Sequence, residues 1–285
     1  MADRRGFTLI ELLVAIVLGS IVTTVLFQLI AGQGRFVEMQ SAREEVQQNS
    51  RAAIELISSE LRSLPGGDAL VRASADSVTM RTARLWGVVC AVNSATSIDV
   101  VVPAVPGASL ATNTGTGIVA NVGTAAAPLW TNAVSVTGIG GPVAVCGTSA
   151  LPAGAETRTL TVASVPENAG TAAAAGDPVY LYDQVTYRTG TSSGVPGLWI
   201  QRRVGDVGSS TNQPMAGPIQ DAGGLRFEYF AGAATAPLAT PILDAAARST
   251  VTRILVSVDA VSRSDFGGDA LSRADTVVVA LRNRL

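Results

Sequence analysis

Few side chains in this 285-residue sequence could do chemistry, and their types narrow the options. All 20 basic residues are arginine; there is no lysine and no histidine. That excludes Ser-His and Cys-His pairs, histidine metal ligands, Schiff-base lysines and a phosphate-loop lysine. No two carboxylates declare themselves as an acid/base couple. The expectation is a protein that is not an enzyme and needs no cofactor. Four groups remain. Glu11 is the only charge in an apolar run from Phe7 to Ile30. Cys90 and Cys146 are an even pair, which reads first as a disulfide in an oxidising compartment and otherwise as two unlinked core thiols. Asp265, Asp269 and Asp275 surround the Gly267-Gly268 pair and are a weak calcium candidate. Calcium takes 6–8 oxygens, but the spacing fits no EF-hand, and a solvated acidic turn is the simpler reading. Arg202, Arg203 and Arg226 sit among aromatic strands, as in single-strand nucleic-acid binders. The net charge of −2 and the lack of any basic block argue against that partner.

The elements that position these groups follow from periodicity. Phe7–Ile30 is long enough to span a bilayer, which needs about 20 residues. Arg4 and Arg5 precede it and place that end in the cytoplasm. A cleaved secretory signal would have a shorter apolar core and an A-x-A-like site, and the residues after Ile30 supply none. A plain signal anchor leaves Glu11 unexplained, since a carboxylate within a span costs about 2–3 kcal/mol and is usually functional. After Gly32 and Gly34, which could bend or loosen the helix, an apolar stripe resumes. Phe36, Met39, Val46, Ala53, Ile54, Ile57, Leu61 and Leu64 share one helical face, and Pro65-Gly66-Gly67 ends it. Beyond Leu64 the period falls to two and turn residues multiply. Candidate strands are Ser77–Thr82, Leu85–Val92, Ser97–Val102, Ala133–Thr137, Val143–Cys146, Arg158–Ala163, Val179–Arg188, Leu198–Val204, Leu225–Ala231, Val251–Val261 and Thr276–Leu281. A hairpin is expected around Gly190–Gly197. Residues 103–177 are rich in Ala, Gly and Thr and nearly free of charge. They read as an insertion or irregular β lobe, with mobile pieces at Ala104–Ala127 and Pro166–Gly176.

The string Arg4-Arg5-Gly6-Phe7-Thr8-Leu9-Ile10-Glu11-Leu12 resembles the class III signal of type IV prepilins and type II secretion pseudopilins. The resemblance implies cleavage between Gly6 and Phe7 by a prepilin peptidase and N-methylation of Phe7. It also implies an assembly role for Glu11, whose carboxylate would pair with the Phe7 amine of a neighbouring subunit. The stem Gln48-Asn49-Ser50-Arg51-Ala52-Ala53, with Leu61-Arg62, looks like that of PilW-like minor pilins. Asp183–Arg188, Leu198–Arg202, Gly223–Phe230 and Thr276–Asn283 resemble the PilW-like and J-type pseudopilin pattern. The Pro103–Asp177 lobe has no recognised counterpart.

The expected organisation is a leader at 1–6, a transmembrane or filament-core helix at 7–31, an amphipathic stem at 32–64 and a β-rich domain at 65–285 with its insertion at 103–177. The fold class is α+β, a long N-terminal helix packed on a largely antiparallel sheet. The function implied is a minor pilin of a type IV pilus-like filament. Alternatives are a J-type minor pseudopilin and an adhesin or DNA-uptake tip pilin. The partners implied are the prepilin peptidase, other pilin subunits and the inner membrane. The chain would be single-pass with its domain in the periplasm, and later part of a pilus or pseudopilus.

Overall fold

The computed structural model describes residues 9–281, apart from 65–68, 105–114, 125–126, 193, 206–210, 222 and 267–268. The first element is a 54-residue helix, α1 (Leu9–Arg62), about 80 Å long at 1.5 Å per residue. It runs unbroken through Gly32 and Gly34, where an added Cβ would meet nothing within 4 Å. From Leu9 to Ile30 its large apolar side chains are all exposed, and so are Phe36 and Val37. Burial begins at Ala42 and continues through Val46, Ser50, Ala53, Ile57 and Leu61, at three- and four-residue steps. The docked stripe therefore starts about one and a half turns later than the hydrophobic pattern suggests, and it includes two serines, Ser50 and Ser58.

The strands follow in chain order: β1 (Leu70–Ala73), β2 (Val78–Ser94), β3 (Ser97–Pro103), β4 (Thr116–Ala120), β5 (Val134–Val143), β6 (Val145–Cys146), β7 (Ser149–Ala150), β8 (Ala155–Val162), β9 (Glu167–Asn168) and β10 (Thr171–Ala172). The second half holds β11 (Pro178–Ser192), β12 (Val195–Val204), β13 (Thr211–Ile219), β14 (Leu225–Ala231), the short α2 (Ala245–Ser249), β15 (Val251–Phe266) and β16 (Asp269–Ala280). Among the described residues all the ladders are antiparallel, and twelve strands join in one sheet, with β6–β7 and β9–β10 as separate small hairpins. The β11–β12 hairpin stands where the sequence places it. This is α+β architecture, a long helix on a large antiparallel sheet.

Two long strands divide the sheet into two cores. The first half of β2 pairs with β1 and the second half with β3, and β11 runs beside most of its length. β11 pairs with β4 through Val179–Asp183 and with β12 through Val185–Ser192. At one end the pairings β2–β3–β8–β5–β4–β11 return to β2, so six strands close into a barrel. Its interior is Val89, Ile98, Val100, Ile118, Ala120, Leu160, Val162, Val179 and Leu181. At the other end the sheet stays open and lies against the second half of α1. That core holds Ile57, Leu61, Met80, Tyr187, Ile200, Phe227, Tyr229, Ile254 and Val256.

The charge-poor stretch 103–177, expected to be an insertion or irregular β lobe with mobile pieces, supplies β4, β5 and β8 to the barrel wall. Thr116–Ala120 is buried at every position, and Pro166–Gly176 contains the β9–β10 hairpin. Residues 105–114 and 125–126 of that expectation lie outside the described residues. Small residues suit this wall. Gly117 lies opposite Tyr182, whose ring occupies the space a Cβ would need, an aromatic covering a strand glycine. On the barrel's outer face Tyr180 packs against Trp86 and Trp130, with ring centroids 5.1 and 5.4 Å away.

Candidate functional site: the N-terminal helix and its seat

Among the described residues nothing of the domain covers the apolar half of α1. From Leu9 to Ile30 it is apolar on every side and exposed throughout, long and apolar enough to cross a membrane. Such a surface must be covered by lipid or by like helices. Glu11 lies in the first turn described, beside Ile10, Val14, Ala15 and Leu18. Gly6 and Phe7 lie outside the described residues.

The second half of α1 is fixed to the sheet by polar contacts as well as by its apolar stripe. Glu45 pairs with Arg263 at 3.1 Å, and Glu60 with Arg202 at 2.8 Å. Asn49 donates from Nδ2 to the Gly217 carbonyl at 2.8 Å. The Ser50 hydroxyl donates to the Asp275 carboxylate, which also accepts from Arg273. These contacts, first from Arg273 and then from Ser50, hold the Asp275 carboxyl below the usual carboxylate range. Burial pushes the Tyr187 and Tyr229 phenols up, with the Glu60 carboxylate adding to the effect at Tyr187. The Tyr229 hydroxyl donates to the Ser74 carbonyl at 3.0 Å. Both phenols are neutral packing groups at neutral pH.

The structure separates groups that the sequence suggests together. Asp265 and Asp269 flank the β15–β16 turn, whereas Asp275 lies six residues along β16, opposite Val258 and bonded to Ser50. At about 3.4 Å per residue that is roughly 20 Å from Asp269, so Asp275 cannot complete a calcium site at the turn. Among the described residues no group of three or more Cys, Asp or Glu side chains gathers to hold a metal. The arginines divide too. Arg202 faces α1, Arg203 takes the opposite face of the same strand, and Arg226 lies on β14. They do not form one nucleic-acid track. Cys90 and Cys146 are disulfide-bonded, with Cα atoms 5.6 Å apart. The bond ties β6, just after β5, to β2, from which β5 is separated in the ladder by β3 and β8. Asn49 and Ser50, the residues that fix the helix register on the sheet, are missed by periodicity. The signal available was a pair of polar residues, one of them on the apolar stripe.

Residues 1–27 match the prokaryotic N-terminal methylation motif. The chain carries a type IV prepilin-like N-terminus. No curated protein and no solved structure matches the chain. The prepilin-type motif implies processing by a prepilin peptidase and assembly with other pilins, and it fits an N-terminal apolar helix anchored in a membrane. The match covers the apolar half of α1 and none of the sheet, so the domain must be read from its own geometry.

Proposed function

We propose that this chain is a minor pilin, an assembly subunit rather than an enzyme, incorporated through α1 into a type IV pilus-like filament. The observation that carries the reading is the division of α1. Its first half is apolar on every side and uncovered, and its second half is locked to a large β domain. Peptidase cleavage at Gly6-Phe7 exposes an amine on Phe7. The helix then leaves lipid and packs among like helices, with the disulfide-bonded domain on the periplasmic side.

Glu11 sets the register in this reading. Its carboxylate pairs with the Phe7 amine of a neighbouring subunit. A subunit docked out of step buries a charge without its counterpart, at a cost of several kcal/mol. The domain, about 220 residues after the helix, is bulky for a subunit repeated along a tight shaft. That favours a tip or initiation position.

Quantifying the protein in sheared filaments tests the reading. A minor pilin appears there at far below one copy per major subunit, and its deletion reduces filament number. Recovery at parity with the major subunit would contradict the minor role. Absence from filaments, with a secretion defect instead, would point to a J-type pseudopilin.

A further inference from the structure

The open part of the sheet has a second face, turned away from α1, and this face carries a groove of about 680 Å³. Its floor and walls follow from strand alternation. Val78, Met80, Val185, Tyr187 and Ile200 point toward the helix and are buried, so Thr79, Thr186, Arg188 and Arg203 point the other way. Arg72 pairs with Thr79, Thr79 with Thr186, and Thr186 with Arg203. One cross-strand row therefore reads Arg, Thr, Thr, Arg. Its end residues are three strand spacings apart, about 14 Å. The two threonine hydroxyls meet at 2.9 Å on the floor. Arg188 enters beside them from β11, and its Nε is enclosed with no acceptor among the described residues. Ser77, Gln184 and Thr189 complete a polar lining, and Asp76 is the one carboxylate in it among the described residues.

We propose that this groove is a binding site for an acidic oligosaccharide, a ligand carrying several carboxylates on a polyhydroxyl backbone. The inference goes beyond filament assembly and does not depend on it. Arginine forks recognise carboxylates through paired N–H donors, and two flanking cations with a third between them suit more than one carboxylate. The hydroxyl and amide side chains of the lining both donate and accept hydrogen bonds, as sugar hydroxyls do. The volume lies within the ordinary range for small-ligand sites, about 300–1,000 Å³. Among the described residues no aromatic ring lines the groove, and single-stranded nucleic acid relies on aromatic stacking platforms.

Titration calorimetry on the full chain in a non-ionic polyether detergent tests this, with trigalacturonate as the probe. Arg188→Gln and, separately, the exposed Arg72→Gln each weaken binding at least tenfold. Arg226→Gln, outside the groove, leaves it unchanged. Near-UV circular dichroism verifies that each variant is folded, and Arg72→Gln carries the test if Arg188→Gln is not. The fully methyl-esterified trimer binds at least tenfold more weakly than the acid. Four results would overturn the assignment: no binding of the trimer to folded protein, equal binding of the ester, equal binding of inorganic phosphate, or tighter binding of a single-stranded oligonucleotide.

Discussion

Asp275 and Ser50 show how one polar contact fixes the register of a helix on a sheet. Ser50 occupies a position that periodicity assigns to an apolar side chain, and its hydroxyl reaches a carboxylate on an edge strand. Hydrogen bonds to charged groups contribute roughly 1.5–3 kcal/mol, so Ser50→Ala is expected to lower unfolding stability by about that amount at pH 7. The same contacts hold the Asp275 pKa down in the folded state. A depressed carboxyl pKa gives stability above the unfolded value, about 3.9. That stability is lost as pH falls through the lower folded pKa. The difference in melting temperature between wild type and Asp275→Asn should therefore be largest at neutral pH and shrink below about pH 4. Glu11 is the other residue on which much rests. Glu11→Ala is expected to leave membrane levels and cleavage intact while incorporation into filaments falls at least tenfold, read by immunoblot of sheared filaments. Unchanged incorporation would remove its register role. Glu11 was legible because a lone charge stands out in an apolar run. Ser50 was not, because its partner lies 225 residues away.

The elements differ in how clearly the sequence announces them. The helix is plain in composition and period, and its end at Arg62 follows from the Pro-Gly-Gly that comes next. Long β-branched runs such as those of β11 and β15 are equally plain. β4 is hidden, because Thr116-Gly117-Ile118-Val119-Ala120 is short, small and buried at every position. It therefore shows no alternation, and its neighbours in sequence look like low-complexity loop. Barrel closure is less legible still. It depends on β11 sharing one edge between β4 and β12 while its other edge pairs with β2, a non-local arrangement that no window of sequence contains. The groove arginines are dispersed in the same way, over β1, β11 and β12. The disulfide between Cys90 and Cys146 spans 56 residues of this barrel region. Chain-entropy arguments give such a cross-link about 4 kcal/mol, lost on removal. Cys146→Ser should therefore lower the melting temperature of the β domain markedly, with the stem contacts intact. A variant that melts as the wild type does would show that the six-strand closure suffices without the bond.

The whole molecule carries an exposed apolar surface and a folded β domain on one unbroken helix. The first half of α1 exposes Leu9, Ile10, Leu12, Leu13, Ile16 and Phe27, among others, and is stable only in lipid or among like helices. The second half carries a disulfide-bonded β domain. The prepilin-type motif at residues 1–27 lies at the apolar end, and on the proposed reading cleavage there would convert a membrane anchor into a subunit with a free N-terminal amine. Everything proposed for the filament rests on this conversion. The most direct measurement is the mature N-terminus, by intact mass and N-terminal peptide analysis, in cells with and without the prepilin peptidase. The chain is expected to begin at N-methylated Phe7 when the peptidase is present and to keep residues 1–6 when it is absent. A chain that keeps residues 1–6 in both strains would contradict that expectation, and the protein would then be an ordinary membrane-anchored domain.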